Sequence, residues 1–328
     1  MIPSPSLFLI ITAIALLADG LIGDPDRIYR HVPHPVVLMG RLIGFLDRLW
    51  NRPERSPVSR IQLGALTAFI VVGVSGAIGM AVHVLLLQWA YGWVIEGLLM
   101  SILIAQRSLY LHVRAVATAF SSNGLEGARQ AVGLIVGRDI AALDEEGVAA
   151  GAIESLAENF SDGVVAPVFW GVIFGLPGIL AYKALNTADS MIGHRTEKYL
   201  HFGSVSARAD DIANFIPARL SGVIIAFAAL IGSKTRVGTS LRVMKADARN
   251  HRSVNAGYPE AAMAGALGVR LSGPRLYDGE QVEEPWLGAD LAPADCEDID
   301  RALRVFVRAC GTLCALVAGA AGLLFFMG

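Results

Sequence analysis

The chain has 328 residues, 54% hydrophobic and only 17% charged, and a mean hydropathy of +0.53, whereas soluble domains carry about 25% charged residues, so the composition is that of an integral membrane protein. A formal net charge of −2 and a pI near 6.4 exclude the basic stripe of a nucleic-acid binder. The cysteines, Cys296, Cys310 and Cys314, form neither a disulfide framework nor a metal-ligand spacing and read as packing residues.

The first apolar run, near 7–23, lacks the positive n-region and cleavage site of a secretory signal and reads as a retained membrane segment. After the polar stretch 24–60, residues 61–89 contain no Asp, Glu, Lys or Arg, and Trp89, Tyr91 and Trp93 stand where an aromatic belt sits. The run near 94–106 follows at once and predicts a helical hairpin with a very short turn, its second arm weakened by Glu96. Polar residues return over 107–163. There the Leu125, Ala128, Val132, Ile135 spacing after the Asn123-Gly124 break predicts an amphipathic helix over 124–137, packed on its neighbours.

Two middle stretches are harder to place. Gly-Leu-Pro-Gly at 175–178 interrupts the run 164–182, and Arg219 sits in the run 212–231. Each either spans or forms a broken, re-entrant segment lining a cavity. The intervening segments 183–211 and 232–304 are polar; within the second, 271–300 is rich in Gly, Pro, Asp and Glu and reads as an exposed loop or small cap. The run 305–327 is a further good span.

Lys and Arg concentrate between Arg27 and Arg60, Arg107 and Arg138, and Lys234 and Arg308, which puts these segments in the cytoplasm by the positive-inside rule. An even number of crossings must then separate Arg138 from Lys234. Lys183, Arg195, Lys198 and Arg208 favour neither middle stretch crossing. The expected fold class is all-α: a polytopic helical integral membrane protein of the inner cell membrane, a single membrane-embedded domain over 1–328 with polar helical and loop segments at the cytoplasmic face.

Chemistry-bearing residues gather in those polar segments. Glu154, Glu158 and Asp162 fall at i, i+4 and i+8 with Asn159 beside them, presenting oxygens along one helical face before an apolar run. Hard cations such as Mg²⁺ bind through one or two carboxylates plus substrate phosphates; a solvated acidic face is the structural alternative. Lys183 precedes a second cluster, Asn186, Asp189, Ser190, His194 and Arg195. Asp210, Asp211 and Asn214 lead into Arg219, which could clamp a phosphate or carboxylate. Singly, such residues also cap helices, but ionisable groups this close to lipid are costly without a task. A fourth polar segment runs from Asp247 through His251 and Asn255 to Glu260, before a small-residue helix from Ala261 to Gly268. His34, before Pro35, flanks a membrane segment. The P-loop, the GxGxxG turn, HExxH and GxSxG are all absent.

The collinear series of these residues resembles the CobD/CbiB family of cobalamin biosynthesis. Carrying it are His34-Pro35-Val36 with Met39-Gly40, then Arg138-Asp139 and Leu143-Asp144-Glu145, then 152–167 with Glu154, Glu158, Asn159 and Asp162. It continues through Tyr182-Lys183, Asn186-Thr187, Asp189-Ser190-Met191-Ile192-Gly193, Ala207-Arg208, Asp210-Asp211, Asn214, Pro217-Ala218-Arg219-Leu220 and the segment from Asp247 through Gly265-Ala266-Leu267-Gly268-Val269. Ile140 stands where the family pattern has Thr, and Val254 where it has Pro; both bear on loop geometry and remove no ionisable group.

The resemblance implies an adenosylcobinamide-phosphate synthase. Such an acid–amine ligase joins (R)-1-amino-2-propanol O-phosphate, or a related amino alcohol, to a propionate carboxyl of adenosylcobyric acid through an amide bond, with ATP as cosubstrate and Mg²⁺. On that footing Glu154, Glu158, Asp162, Asp189, Asp210 and Asp211 are candidate Mg²⁺ ligands. Lys183, Arg195 and Arg219 would hold phosphate, and His251 could take the amine proton. His34, Asn159, Asn186, Ser190, Arg208, Asn214 and Asn255 would contact substrate. Expected partners are the corrinoid, the amino alcohol, membrane lipid and other membrane enzymes of nucleotide-loop assembly, with no nucleic acid. The alternatives are a membrane CDP-alcohol-type phosphotransferase, or a transporter with its binding site in broken helices.

Overall fold

The computed structural model describes residues 5–23, 29–137, 139–231, 234–277 and 280–327; Arg27 and Arg138 lie outside them. In chain order come α1 (Pro5–Leu21), α2 (Pro35–Trp50), α3 (Pro57–Leu86), α4 (Gly92–Ser101), α5 (Gln106–Val132) and α6 (Glu145–Phe160). A π-helical turn, Ser161–Val165, leads into α7 (Ala166–Ile192), α8 (Ser204–Ala228), α9 (Lys234–Asp247), α10 (Gly257–Leu267) and α11 (Cys296–Met327). Between α10 and α11 lie β1 (Leu271–Ser272), β2 (Arg275–Tyr277), β3 (Glu280–Val282) and β4 (Trp286–Leu287). β1 pairs antiparallel with β4, and β2 with β3.

Local chemistry sets several helix starts. Pro35 and Pro57 occupy first-turn positions where no N–H is needed, behind the caps His34 and Ser56. Asp144 accepts from Gly147 N at 2.8 Å ahead of Glu145 and Glu146, which suit the positive end of the α6 dipole.

Five helical stretches among the described residues are long and apolar enough to cross a membrane: Pro57–Leu86, Gly92–Val132, Glu145–Ile192, Ser204–Ala228 and Cys296–Met327. The chain is an all-α, multi-pass membrane protein. Both middle runs lie on such helices. Gly-Leu-Pro-Gly bends the first of them without ending it. Gly175 takes φ 64°, ψ −150°, open to a residue without Cβ, and helix resumes beyond Pro177. The other expected break is also present, since Gly124 has φ 63°, ψ −159°. The helix after it stops at Val132, short of 137, because Leu134 N and Ile135 N bond three residues back and tighten the chain into turns. Its apolar stripe is packed as expected, with Ala128 and Val132 fully buried.

The chain forms two compact units. The first comprises Met1–Ala105, Ala166–Asn214 and Val317–Gly328. Its core includes Met39, Ile43, Val71, Ala184, Ala188, Ile192 and Phe202, with Tyr199 packed against it. Small residues bring helices together here: a Cβ on Gly79 would lie 2.7 Å from Pro177 Cα, so α3 and α7 touch through backbone. The hairpin α3–α4 keeps Glu96 fully buried, and both its oxygens lie 2.9 Å from His83 Nδ1. This pairing removes the objection that Glu96 raised to a membrane position.

The second unit comprises Gln106–Val165 and Phe215–Leu316. Helix α6 is buried continuously from Val148 to Ala157, and Phe160 meets Phe306 edge to face at 5.7 Å. The small-residue helix α10 is buried over most of its length and ends at Gly268, whose φ of 76° is the left-handed cap that glycine serves. The expected exposed cap at 271–300 is partly core: Leu271 and Leu287 face each other across β1–β4, both fully buried.

Breaking the His83–Glu96 pair strands a buried polar partner. Glu96→Ala is expected to destabilise by about 3–5 kcal/mol, and His83→Met/Glu96→Met to recover most of that loss, in thermal unfolding of detergent-solubilised protein.

Candidate active site

In the first unit the end of α7 and the start of α8 present carboxylates and amides to one another. Asp210, 7% exposed, has both oxygens engaged. Asn214 Nδ2 donates to Oδ2 at 2.8 Å and Asn186 Nδ2 to Oδ1 at 3.4 Å. Tyr182 donates its hydroxyl to Asn214 Oδ1 at 2.9 Å, which fixes the amide so that its NH₂ faces Asp210. Asp189 and Asp211 are the carboxylates near enough to act on Asp210 electrostatically. His194 stands in the same relation to Asp189, and Arg195 to Asp211. The helix phase explains the sorting: Ala184, Ala188 and Ile192 form the buried stripe of α7, leaving Asn186, Asp189 and Ser190 on its other side. Gly193 makes room for Asp189, because a Cβ there would fall 1.9 Å from Asp189 Oδ1 and 2.6 Å from its carbonyl oxygen.

The connection from α7 to α8 carries His194 and Arg195, and it is tied down from a distance. Asp47 Oδ2 accepts from Lys198 Nζ at 3.0 Å and from Tyr199 OH at 3.3 Å, while Oδ1 accepts from Asn51 Nδ2 at 2.9 Å. The Lys198 carbonyl accepts from Asn51 and Arg60. The Tyr199 hydroxyl, and after it Asp47, hold the Lys198 ammonium pKa above its usual range.

In the second unit Arg219 is preorganised. Its guanidinium carbon lies 3.4 Å from the Phe215 ring centre and 4.1 Å from that of Tyr258, and Nη1 donates to Phe215 O at 2.6 Å and Asn255 Oδ1 at 3.4 Å. His251 Nδ1 accepts from Ser253 N at 3.1 Å, which places the ring proton on Nε2, 3.6 Å from Glu260. Glu154 is buried, and its Oε1 accepts from Ser272 N at 2.7 Å. Ser272 has φ 65°, and its hydroxyl bonds Glu284 at 3.3 Å. Arg270 forks onto Glu146 at 2.9 and 3.2 Å and covers the Trp286 ring at 4.5 Å.

The family described as CobD/Cbib protein matches residues 12–306. The chain belongs to the CobD/CbiB family. It is 49% identical over 312 residues to the cobalamin biosynthesis protein CobD of Sinorhizobium sp., covering 94% of this chain and 97% of that protein. It is 47% identical over 322 residues to the protein of the same name from Rhizobium meliloti, covering 97% and 98%, and 48% identical over 302 residues to that of Rhodobacter capsulatus, covering 92% and 94%. No solved structure matches the chain.

Of the residues singled out from the sequence, the structure brings together Asn186, Asp189, Asp210, Asp211 and Asn214, with Arg195 within electrostatic reach. Lys183 lies on the same helix, its carbonyl accepting from Thr187 at 2.6 Å. Ser190 donates its hydroxyl to Asn186 O at 2.9 Å, and Arg208 is exposed on α8. His34 uses both ring nitrogens in the fold, accepting from Val36 N at 3.2 Å and lying 3.1 Å from Ile102 O. Asn159 Nδ2 donates to Ser155 O at 2.9 Å. Along the series Glu154, Glu158 and Asp162, Glu154 is buried, Glu158 is exposed, and Asp162 sits in the π-helical turn, which shifts the helical phase. Among the described residues no group of three or more His, Cys, Asp or Glu is placed to hold a metal ion unaided. Asp47 and Tyr199 escaped the sequence reading, and Tyr182 entered it only within the family pattern; only the (i, i+4) spacing of Asp47 and Asn51 hinted at a local pair, and nothing pointed across 151 residues to Lys198.

Removing the Glu154 acceptor deletes the hydrogen bond that the buried Ser272 amide donates to it. Glu154→Ala is expected to cost about 1–3 kcal/mol in chemical denaturation of the detergent-purified protein, and an unchanged midpoint would show that Glu154 does not hold β1.

Proposed function

We propose that this chain is a cobalamin-biosynthesis enzyme that joins an amino alcohol, as (R)-1-amino-2-propanol O-phosphate or a close relative, to a propionate carboxyl of adenosylcobyric acid through an amide. The reading rests on family membership together with one observation. Where α7 ends and α8 begins, at the polar ends of apolar helices, Asp189 and Asp211 stand beside Asp210, whose own oxygens are held by two amides.

A carboxylate does not condense with an amine until its oxygen becomes a leaving group, and ATP supplies that activation. The corrinoid carboxylate oxygen attacks the γ-phosphorus, the bond to ADP breaks, and an acyl phosphate forms. The amine then attacks the acyl carbon and loses a proton, and phosphate departs with the carboxylate oxygen. Positioning and charge stabilisation dominate catalysis of such a transfer. Arg195, within electrostatic reach of Asp211, and Lys183, one turn before Asn186 on α7, are the cations assigned to meet developing negative charge. Asn186 and Asn214 keep Asp210 fixed, so the neighbouring carboxylates face a rigid surface.

The donor set fits Mg²⁺ that arrives with phosphate, since such ions use one or two carboxylates plus phosphate oxygens. Asp189 and Asp211 are the residues that would hold it, and when bound it neutralises charge on the transferring phosphoryl group. Glu154 and His251 take structural roles in this scheme, because their hydrogen-bonding atoms already secure β1 and the 251–255 turn.

The test is to supply detergent-purified protein with adenosylcobyric acid, aminopropanol phosphate and MgATP and to look for the amide by mass spectrometry. Absence of product under conditions where an established synthase turns over would overturn the reading. Asp189→Ala is expected to abolish product at limiting Mg²⁺. Gly193→Ala, which pushes the Asp189 carboxylate aside, is expected to lower kcat by about 10²-fold, the scale of a 1 Å misplacement; kcat within a factor of two of the parent would remove Asp189 from the site.

A further inference from the structure

The sequence holds no P-loop or dinucleotide turn, yet the proposed reaction consumes a nucleoside triphosphate. A cavity of about 490 Å³ in the second unit is lined by Leu241, Met244, Lys245, Arg249 and Tyr258. Its size falls within the roughly 300–1,000 Å³ of small-molecule sites. Its chemistry is divided: Leu241, Met244 and the Tyr258 ring make an apolar wall, and Lys245 and Arg249 bring two cations to it. Both cations are exposed, and neither has a hydrogen-bond or ion-pair partner among the described residues. Arg219 adds a third cation beside the wall, stacked 4.1 Å from the Tyr258 ring centre.

The local fold makes this arrangement firm. Lys245 lies in the last turn of α9 and Arg249 in the 3₁₀ turn that follows, at i and i+4. Tyr258 is held at the start of α10, where its carbonyl and Met244 Sδ both close on Gly222; a Cβ there would meet them at 3.0 and 2.7 Å. The negative end of the α9 dipole accounts for one cation in its last turn, and the concentration of Lys and Arg from Lys234 to Arg308 for a second. Neither accounts for an aromatic-walled cavity between them.

We propose that this cavity binds the nucleoside triphosphate, with the base against Tyr258 and the phosphates toward Lys245 and Arg249. The assignment rests on the amide-forming reaction proposed above. Of its three reactants, only the nucleotide joins a flat apolar ring to several contiguous anionic groups. The amino-alcohol phosphate has no ring to cover the wall, and the corrin macrocycle is too large for the volume. An anionic lipid headgroup shares the phosphate chemistry and is separated by the test.

Binding of radiolabelled ATP to the detergent-purified full chain, by equilibrium dialysis without corrinoid, reads the site directly. Lys245→Ala/Arg249→Ala is expected to weaken ATP by about tenfold or more, as loss of charge-assisted phosphate contacts does, and to raise KM for ATP in parallel. Tyr258→Ala is expected to weaken ATP by about tenfold through lost stacking, and Tyr258→Phe to restore it. Native mass spectrometry for retained phosphatidylglycerol provides the lipid arm. If the double variant sheds lipid but binds ATP like the parent, or binds both like the parent, the nucleotide assignment is overturned. Loss of ATP in the double variant while the parent binds ATP and forms no amide would uphold this site and reject the proposed reaction. Amide formation with an unchanged KM for ATP in that variant would reject the site and leave the reaction standing.

Discussion

A polar group near lipid has to find its partner within the protein, because water is not there to supply one. That constraint organises this chain. Asp210 is buried only because Asn186 and Asn214 cover its two oxygens and Tyr182 orients Asn214. Glu96 is buried because His83 faces both its oxygens, and Glu154 because the Ser272 amide points at it. In each case a hydrogen-bonded network fixes helix phase as well as satisfying charge. Asp189, Asp211 and Arg195 stand beside the Asp210 network. Hydrogen-bonded surroundings of that kind suit a site acting through placement and electrostatics, since preorganised groups have no reorganisation cost at the moment of reaction.

Much of the helical layout is legible in the sequence because apolar runs and glycine breaks are local signals. The 61–89 run becomes α3 together with its turn, and the breaks at Gly124 and Gly175 fall where they are expected. The surroundings of single charged residues are not local signals. The Arg219 guanidinium lies against the Phe215 and Tyr258 rings, an arrangement that depends in part on a residue 39 positions away. Pro217 likewise removes one helix N–H, and the carbonyl of Ala213 finds Trp170 Nε1 at 3.3 Å instead.

The candidate site divides along the same line. The spacing of Asn186 with Asp189, and of Asp210 with Asn214, is a helical-turn pattern, so their appearance on shared faces could be read directly. In the i, i+4, i+8 series Glu154, Glu158, Asp162, two features have no local signal: the π-helical turn that takes in Asp162, and the strand amide 118 residues later that bonds Glu154. The family match covers residues 12–306, in keeping with the collinear series of motifs along the chain.

The central claim is that a corrinoid carboxylate is activated by phosphoryl transfer before the amine attacks. It can be followed atom by atom. Adenosylcobyric acid carrying ¹⁸O in its carboxylates, incubated with the purified chain, amino-alcohol phosphate and MgATP, should release inorganic phosphate bearing one ¹⁸O for each amide formed, seen as an isotope-shifted ³¹P resonance. Amide accumulating with unlabelled phosphate would contradict the account.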